Sequence, residues 1–216
     1  MKVVSLRLAV QMAILTVVFA AAGRAADKDT AASSEREFQA KIQYCTYCHQ
    51  PSGQGFLGSF PIPRLAGQQT EYFENQLKAF IERRRVNVFM SKVATSLSPD
   101  MLTILATHFK DLNPKPLEGA PEELVAAGKK IFEEGVPDAH VPPCSTCHGQ
   151  EAKGNGEFPR LASQLYPYLT KVLENWDKER GQDPADPDTS AVMAPIARGL
   201  TESQIKAVAA YLSYLE

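Results

Sequence analysis

Cys45-Thr46-Tyr47-Cys48-His49 and Cys144-Ser145-Thr146-Cys147-His148 are two copies of CxxCH, and they use all four cysteines of the 216-residue chain. CxxCH is the attachment signature of a c-type haem. Two thiols add across the vinyl groups of one haem, and the adjacent imidazole binds its iron. Cys45, Cys48, Cys144 and Cys147 are therefore candidates for covalent attachment of two haem c groups, with His49 and His148 as proximal iron ligands. The competing readings are weaker. Two disulfides would suit an exported chain but leave the histidine after each pair unexplained. A zinc site built from two CxxC pairs leaves it unexplained too. A thioredoxin-like CxxC needs a βαβ setting, and the sequence shows none.

Working outward, each motif heads a longer repeat. Pro63-Arg64-Leu65-Ala66-Gly67-Gln68 follows the first, and Pro159-Arg160-Leu161-Ala162-Ser163-Gln164 follows the second. The stretch from Phe89-Met90 to Leu97 then matches that from Val192-Met193 to Leu200. The match continues ungapped through Leu105–Phe109 against Val208–Leu212. Both repeats have the order CxxCH, PRLA[GS]Q, Met, terminal helix. The division expected is 26–112 for the first domain, 113–120 for a proline-rich linker and 121–216 for the second domain. About 90 residues is small for a domain but viable with a haem in its core.

The periodicity is helical throughout, and the fold class expected is all-α. Ser34 with Glu37 forms a capping-box pattern opening a helix toward Cys45. Pro121-Glu122-Glu123 opens the corresponding helix of the second repeat, with Leu124, Ala127, Ile131 and Phe132 on one face. Middle helices are expected over about 70–81 and about 165–176, with Pro167 in the first turn of the latter. The terminal helices start at Ser98-Pro99-Asp100 and at Thr201, where Gln204 completes a capping box. The segment 113–120 should be extended and fairly stiff. Asp183-Pro184-Ala185-Asp186-Pro187 reads as a loop ahead of Met193.

Residues 1–25 have the pattern of a Sec-type signal peptide. Lys2 and Arg7 precede an apolar run from Leu8 to Ala22, and small residues follow. The run is short for a membrane anchor, which needs about 20 apolar residues. Export places the expected site of action in the periplasm. Composition is ordinary for a soluble globular protein, at 44% hydrophobic and 22% charged, and nothing in it calls for nucleic acid as a partner.

A thioether sixth ligand favours reduced iron and suits a high-potential centre. Met90 and Met193 share one repeat position, expected in a loop before the terminal helix, and are the candidate axial ligands. Met101 aligns with Gln204 and is expected to pack. His108 aligns with Tyr211 inside the terminal helix, and His140 is expected on a solvent-exposed loop. Arg64 and Arg160 recur just before Leu-Ala and are candidates for contacting the propionates of their own haems. Tyr47, Phe60, Phe158 and Trp176 are expected in the haem pockets or the core. Residues 27–112 carry net +1 and residues 121–216 net −6. Arg83-Arg84-Arg85 concentrates positive charge in the first repeat, either as a solvated helix end or as a surface for an acidic partner.

The order CxxCH, PRLAGQ-like segment, Met-x-x-[VI]-Ala-x-x-Leu and terminal helix, written twice after a signal peptide, resembles the cytochrome c4 family. The resemblance covers essentially the whole mature chain. It implies two class I cytochrome c domains and two low-spin His/Met haems near the domain interface with their propionates close together. It further implies electron shuttling in the periplasm between respiratory-chain donors and a terminal oxidase or reductase, with loose membrane association in some members. Carried over by position, the iron ligands are His49 with Met90 and His148 with Met193. His108 departs from the tyrosine frequent there in the family. Two other functions compete: a cytochrome subunit held permanently in a dehydrogenase or oxidase complex, and a dihaem peroxidase. The peroxidase would need one labile sixth site, which paired methionines argue against.

Overall fold

A computed structural model of the chain describes residues 33–180 and 190–216. The expected signal peptide (1–25), the start of the expected first domain (26–32) and the loop 183–187 lie outside the described residues. By its contacts the chain divides into residues 1–42 and residues 43–216, and the second unit contains both CxxCH motifs. The described residues are helical with only isolated β-bridges, as the all-α expectation required. None of their helices is long and apolar enough to cross a membrane.

In the first repeat, residues 33–49 are helical (α1). Ser34 is already inside the helix, so the cap expected there is not its start. Next come α2 (Thr70–Ile81), α3 (Val88–Thr95) and α4 (Pro99–Lys110). The second repeat has a 3-10 turn at Glu122–Leu124, then α5 (Val125–Glu134), the four-residue α6 (Ser145–His148), α7 (Tyr166–Glu174), α8 (Trp176–Glu179), α9 (Ser190–Gly199) and α10 (Glu202–Tyr214). Local chemistry sets several starts. Ser98 precedes α4, whose Pro99 is in the first turn, where its missing N–H costs nothing. Pro167 is in the first turn of α7. Thr201 and Gln204 cap α10 reciprocally.

Met90 and Met193 are on helices, α3 and α9, and not in loops. The Asn87 side chain accepts from the Met90 backbone N–H at 3.0 Å, which closes the first turn of α3. α3 is only eight residues long. Its mostly apolar start hides the helical period that longer elements display.

Apolar faces then assemble. In the first repeat α2 packs on α3 and α4. Phe73 stacks on Phe109 at 5.6 Å, and Leu102, Leu105 and Ala106 are buried with them. Met101 is buried, as its packing role required, and His108 is edge-on to Phe109. In the second repeat α10 packs on α5 and α7, burying Phe132, Leu169, Val208 and Leu212. His140 is exposed in a loop, as expected. The α5–α10 crossing depends on Gly128, where an added Cβ would overlap the Ala207 carbonyl and the Tyr211 Cβ.

Between CxxCH and PRLA[GS]Q the two repeats have one loop frame in register. The His49 and His148 carbonyls accept from Gly55 and Gly154 N–H at 3.0 and 2.9 Å. The Gly53 carbonyl accepts from Leu65 and Ala66, and the Ala152 carbonyl from Leu161 and Ala162. Gly67 N–H donates to Phe109 and Ser163 N–H to Leu212, which ties each segment to its terminal helix. The frame needs left-handed backbone at positions 53 and 55 and at 152 and 154, and glycine occupies three of the four.

Gly128→Val should destabilise the holoprotein by about 3 kcal/mol, the upper end of overpacking costs, because both the helix backbone and Tyr211 would have to move. Denaturant unfolding monitored in the far ultraviolet measures it.

Candidate haem-binding sites

Cys45, Cys48 and His49 close the last turns of α1. Cys144 precedes α6, whose last residue is His148. Spacings of i, i+3 and i+4 put the three side chains of each motif on one helical face. No cysteine is in a disulfide. Among the described residues no group of three or more His, Cys, Asp or Glu side chains is placed together to hold a metal ion. Burial pushes the Cys144 thiol up to about 11.

Both histidines are buried, and both use Nδ1 in the same way. His49 Nδ1 is 2.8 Å from the Pro63 carbonyl, and His148 Nδ1 is 3.0 Å from the Pro159 carbonyl. A carbonyl only accepts, so Nδ1 carries the proton and Nε2 presents its lone pair. This is the usual arrangement of a metal-binding histidine. Burial also holds both rings below the ordinary histidine pKa. The proline carbonyls oppose this, and the Arg85 charge adds to it at His49. The rings are thus kept neutral, the form that binds iron.

The methionines are half-buried. Met193 packs against a cluster of Val172, Trp176, Ala194 and Ala197. Phe158 is edge-on to His148 at 6.5 Å. Trp176 is buried as expected, but Tyr47 and Phe60 are 87% and 85% exposed, outside the protein core. Tyr47 is at the third position of its motif, off the face shared by Cys45, Cys48 and His49. Phe60 is in the loop between the motif and Pro63.

The two arginines of the repeated segment are buried and differ in their bonds. Arg64 donates from Nε to Ala66, from Nη1 to Pro114 and from Nη2 to Asn113, so it pins the linker. Burial and the neighbouring Arg160 charge lower its pKa to about 10. Arg160 donates from Nε to Ala162, and its buried Nη2 has no acceptor among the described residues. Trp176 Nε1 is likewise buried without one. Donors of this kind suit a carboxylate. With cysteine pairs, Nε2-presenting histidines and methionines, the donor set fits a haem in each repeat. When bound, haem supplies one-electron chemistry at iron.

The repeats meet through polar contacts between residues far apart in the chain. Gln164 Oε1 accepts from Arg64 N–H at 2.8 Å, and its Nε2 donates to the Arg64 carbonyl at 3.0 Å. Gln68 does the same to Arg160, at 2.7 and 3.1 Å. Asn75 donates to Glu157 at 2.7 Å. Arg85 lies 4.5 Å over Phe80 and donates to Gln76 and, at 2.6 Å, to the Tyr168 hydroxyl. Arg180 lies 5.0 Å over Trp176 and donates to Gln76 and to the Tyr72 hydroxyl. Each repeat's arginine thus reaches the other repeat's tyrosine. The signal was in the sequence: Gln68/Gln164 and Tyr72/Tyr168 hold equal offsets from PRLA. The run Arg83-Arg84-Arg85 is accordingly not a solvated charge patch. Arg84 pairs with Glu82, Arg85 is drawn into the contact between repeats, and Arg83 alone is exposed.

Comparison with known proteins gives a consistent result. Residues 125–216 match the family model described as Cytochrome c. The chain is 36% identical to a cytochrome c4 of Thiocapsa roseopersicina over 79% of its own length and 86% of that protein. It is 34% identical to a thiosulfate dehydrogenase electron acceptor of Thiomonas intermedia, over 78% and 77% of the two chains. The solved cytochrome c4 of Acidithiobacillus ferrooxidans aligns with a TM-score of 0.66 at 34% identity, covering 79% of this chain and 98% of that one.

Tyr168→Phe should cost about 1.5–3 kcal/mol, the range for a hydrogen bond to a charged donor. Combined with Arg85→Met its effect should be less than additive. A double-mutant cycle by denaturant unfolding reads the coupling.

Proposed function

The chain belongs to the cytochrome c4 family, and we propose that it works as a periplasmic shuttle whose irons are both closed by a histidine and a methionine. It is a dihaem c-type cytochrome, an electron-transfer protein that exchanges electrons with redox protein partners. Its cofactors are two covalently bound haem c groups. Cys45 and Cys48 attach the first and Cys144 and Cys147 the second. His49 with Met90, and His148 with Met193, are the proposed axial pairs. We divide the chain as 26–112 and 121–216, one haem to each domain, joined by 113–120.

The observation that supports this most directly is the pair of buried histidines with Nδ1 on a proline carbonyl. Repeating it in both halves argues for two equivalent binding modes, not one binding centre and one catalytic centre. Methionine at one repeat position in both halves extends the same symmetry to the sixth ligand. The propionate role expected of both arginines divides in this reading. Arg160, with its buried Nη2 still to be satisfied, faces a propionate. Arg64 holds the linker.

The donors we propose are respiratory-chain proteins, and the acceptor is a terminal oxidase or reductase, with loose attachment to the membrane surface. The leader-like residues 1–25 support the periplasm. A second reading, an electron-accepting subunit of a dehydrogenase, is favoured by the name of the Thiomonas relative. Co-purification of a dehydrogenase with the native protein would select it.

Met90→Ala should abolish the methionine–iron charge-transfer band of one haem and lower that haem's potential, since a thioether favours reduced iron. Met193→Ala should do the same to the other haem. Spectroelectrochemical titration reads both, and a variant that leaves both bands intact shows that its methionine is not a ligand.

A further inference from the structure

We propose that Gln68 and Gln164 are reciprocal positioning residues, each setting the hydrogen bond that anchors the iron-binding histidine of the other repeat. The proposal rests on His49 and His148 as iron ligands. It concerns what holds them.

Pro63 C=O and Arg64 N–H belong to one peptide group, which is planar and points its two polar ends in opposite directions. On one side the carbonyl takes the His49 Nδ1 proton at 2.8 Å. On the other, the N–H donates to Gln164 Oε1 at 2.8 Å. Gln164 therefore acts on His49 through a single rigid plane. Its second bond, from Nε2 to the Arg64 carbonyl at 3.0 Å, fixes the amide against rotation. The mirror chain runs from Gln68 Oε1 to Arg160 N–H at 2.7 Å and from the Pro159 carbonyl to His148 Nδ1 at 3.0 Å. Both glutamines are buried. Each Oε1 also accepts from the next backbone N–H, that of Gln69 or Leu165, which ties it to the start of α2 or α7.

The consequence is electronic as well as steric. A peptide whose N–H is engaged is a better acceptor at its carbonyl, because hydrogen bonds in a chain polarise one another. A stronger Nδ1–H bond makes the imidazole a more basic ligand and so favours ferric over ferrous iron. Removing Gln164 should then raise the potential of the centre on His49, although Gln164 is in the other repeat. Removing Gln68 should raise that of the centre on His148.

The test uses the full dihaem protein with Gln164→Met and Gln68→Met, which conserve volume and remove both amide bonds. Asn75→Ala is the control, since Asn75 bonds Glu157 across the same contact without touching either peptide. Spectroelectrochemical titration resolves the two centres. NMR of the reduced protein follows the Nδ1 protons of His49 and His148. Gln164→Met should raise only the His49 centre, by up to about tenfold in the one-electron equilibrium, about 59 mV, and speed exchange of only the His49 Nδ1 proton. Gln68→Met should give the converse, and Asn75→Ala should move neither. Equal shifts of both centres, a shift confined to the glutamine's own repeat, or no shift would each overturn the proposal. If one variant fails to retain haem, the other carries the test. If both fail, amide exchange in the unaltered protein decides it: the Arg64 and Arg160 N–H must be among the slowest, and rapid exchange refutes the clamp. Failure here leaves the low-spin spectrum of the unaltered protein intact, whereas failure of histidine ligation would remove it.

Discussion

A histidine can offer Nε2 to a metal with a fixed orientation only when its Nδ1 proton has a fixed destination. In this chain that destination is a proline carbonyl, at Pro63 and again at Pro159. Much of the surrounding structure serves to hold those carbonyls in place. Gly53 and Gly55, or Ala152 and Gly154, fold the loop back so that PRLA[GS]Q passes over the histidine. The terminal helices accept the N–H of Gly67 and Ser163 and fix the far end of the segment. A histidine on one turn of helix is thus positioned by a loop, a terminal helix and a peptide plane.

The same constraint explains how the repeats join. A buried backbone amide needs a partner, and the segments that serve the histidines would leave the polar groups of Arg64 and Arg160 facing the contact. Side-chain amides suit this task, because one glutamine supplies both a donor and an acceptor. The aromatic side of the contact is built on another logic. Arg85 and Arg180 stack on Phe80 and Trp176 and donate to tyrosine hydroxyls of the opposite repeat. Guanidinium groups tolerate such burial better than ammonium groups, being weakly hydrated and planar. The two repeats are thereby held together by directional bonds.

Much of this was legible in the residues. CxxCH is specific chemistry, and its duplication with PRLA[GS]Q and methionine in register led to two haems, an all-α fold and the family. Helices with caps or clear periods were found close to their true bounds: Thr70–Ile81, the start at Ser98-Pro99 and the capping box at Thr201. Short elements were not. The helix carrying Met90 has too few turns to display a period, and the one carrying Met193 contains Pro195, which reads as a helix breaker. The arginine run was misread for a related reason. Charge along a chain says nothing of direction, and a left-handed residue at Arg83 sends Arg85 inward.

What the sequence determined by itself is therefore which residues are present for the proposed chemistry: two CxxCH motifs, each with a methionine in register. Those properties are local, and a motif of five residues carries them whole. Which residues meet across the two repeats was decided by the tertiary structure. Gln68 and Gln164 sit beside their own repeat's motif in the chain, yet each holds the arginine peptide of the other repeat. A hydrogen bond depends on separation in space, and only the docking of the two halves brings residues about a hundred positions apart within 3 Å.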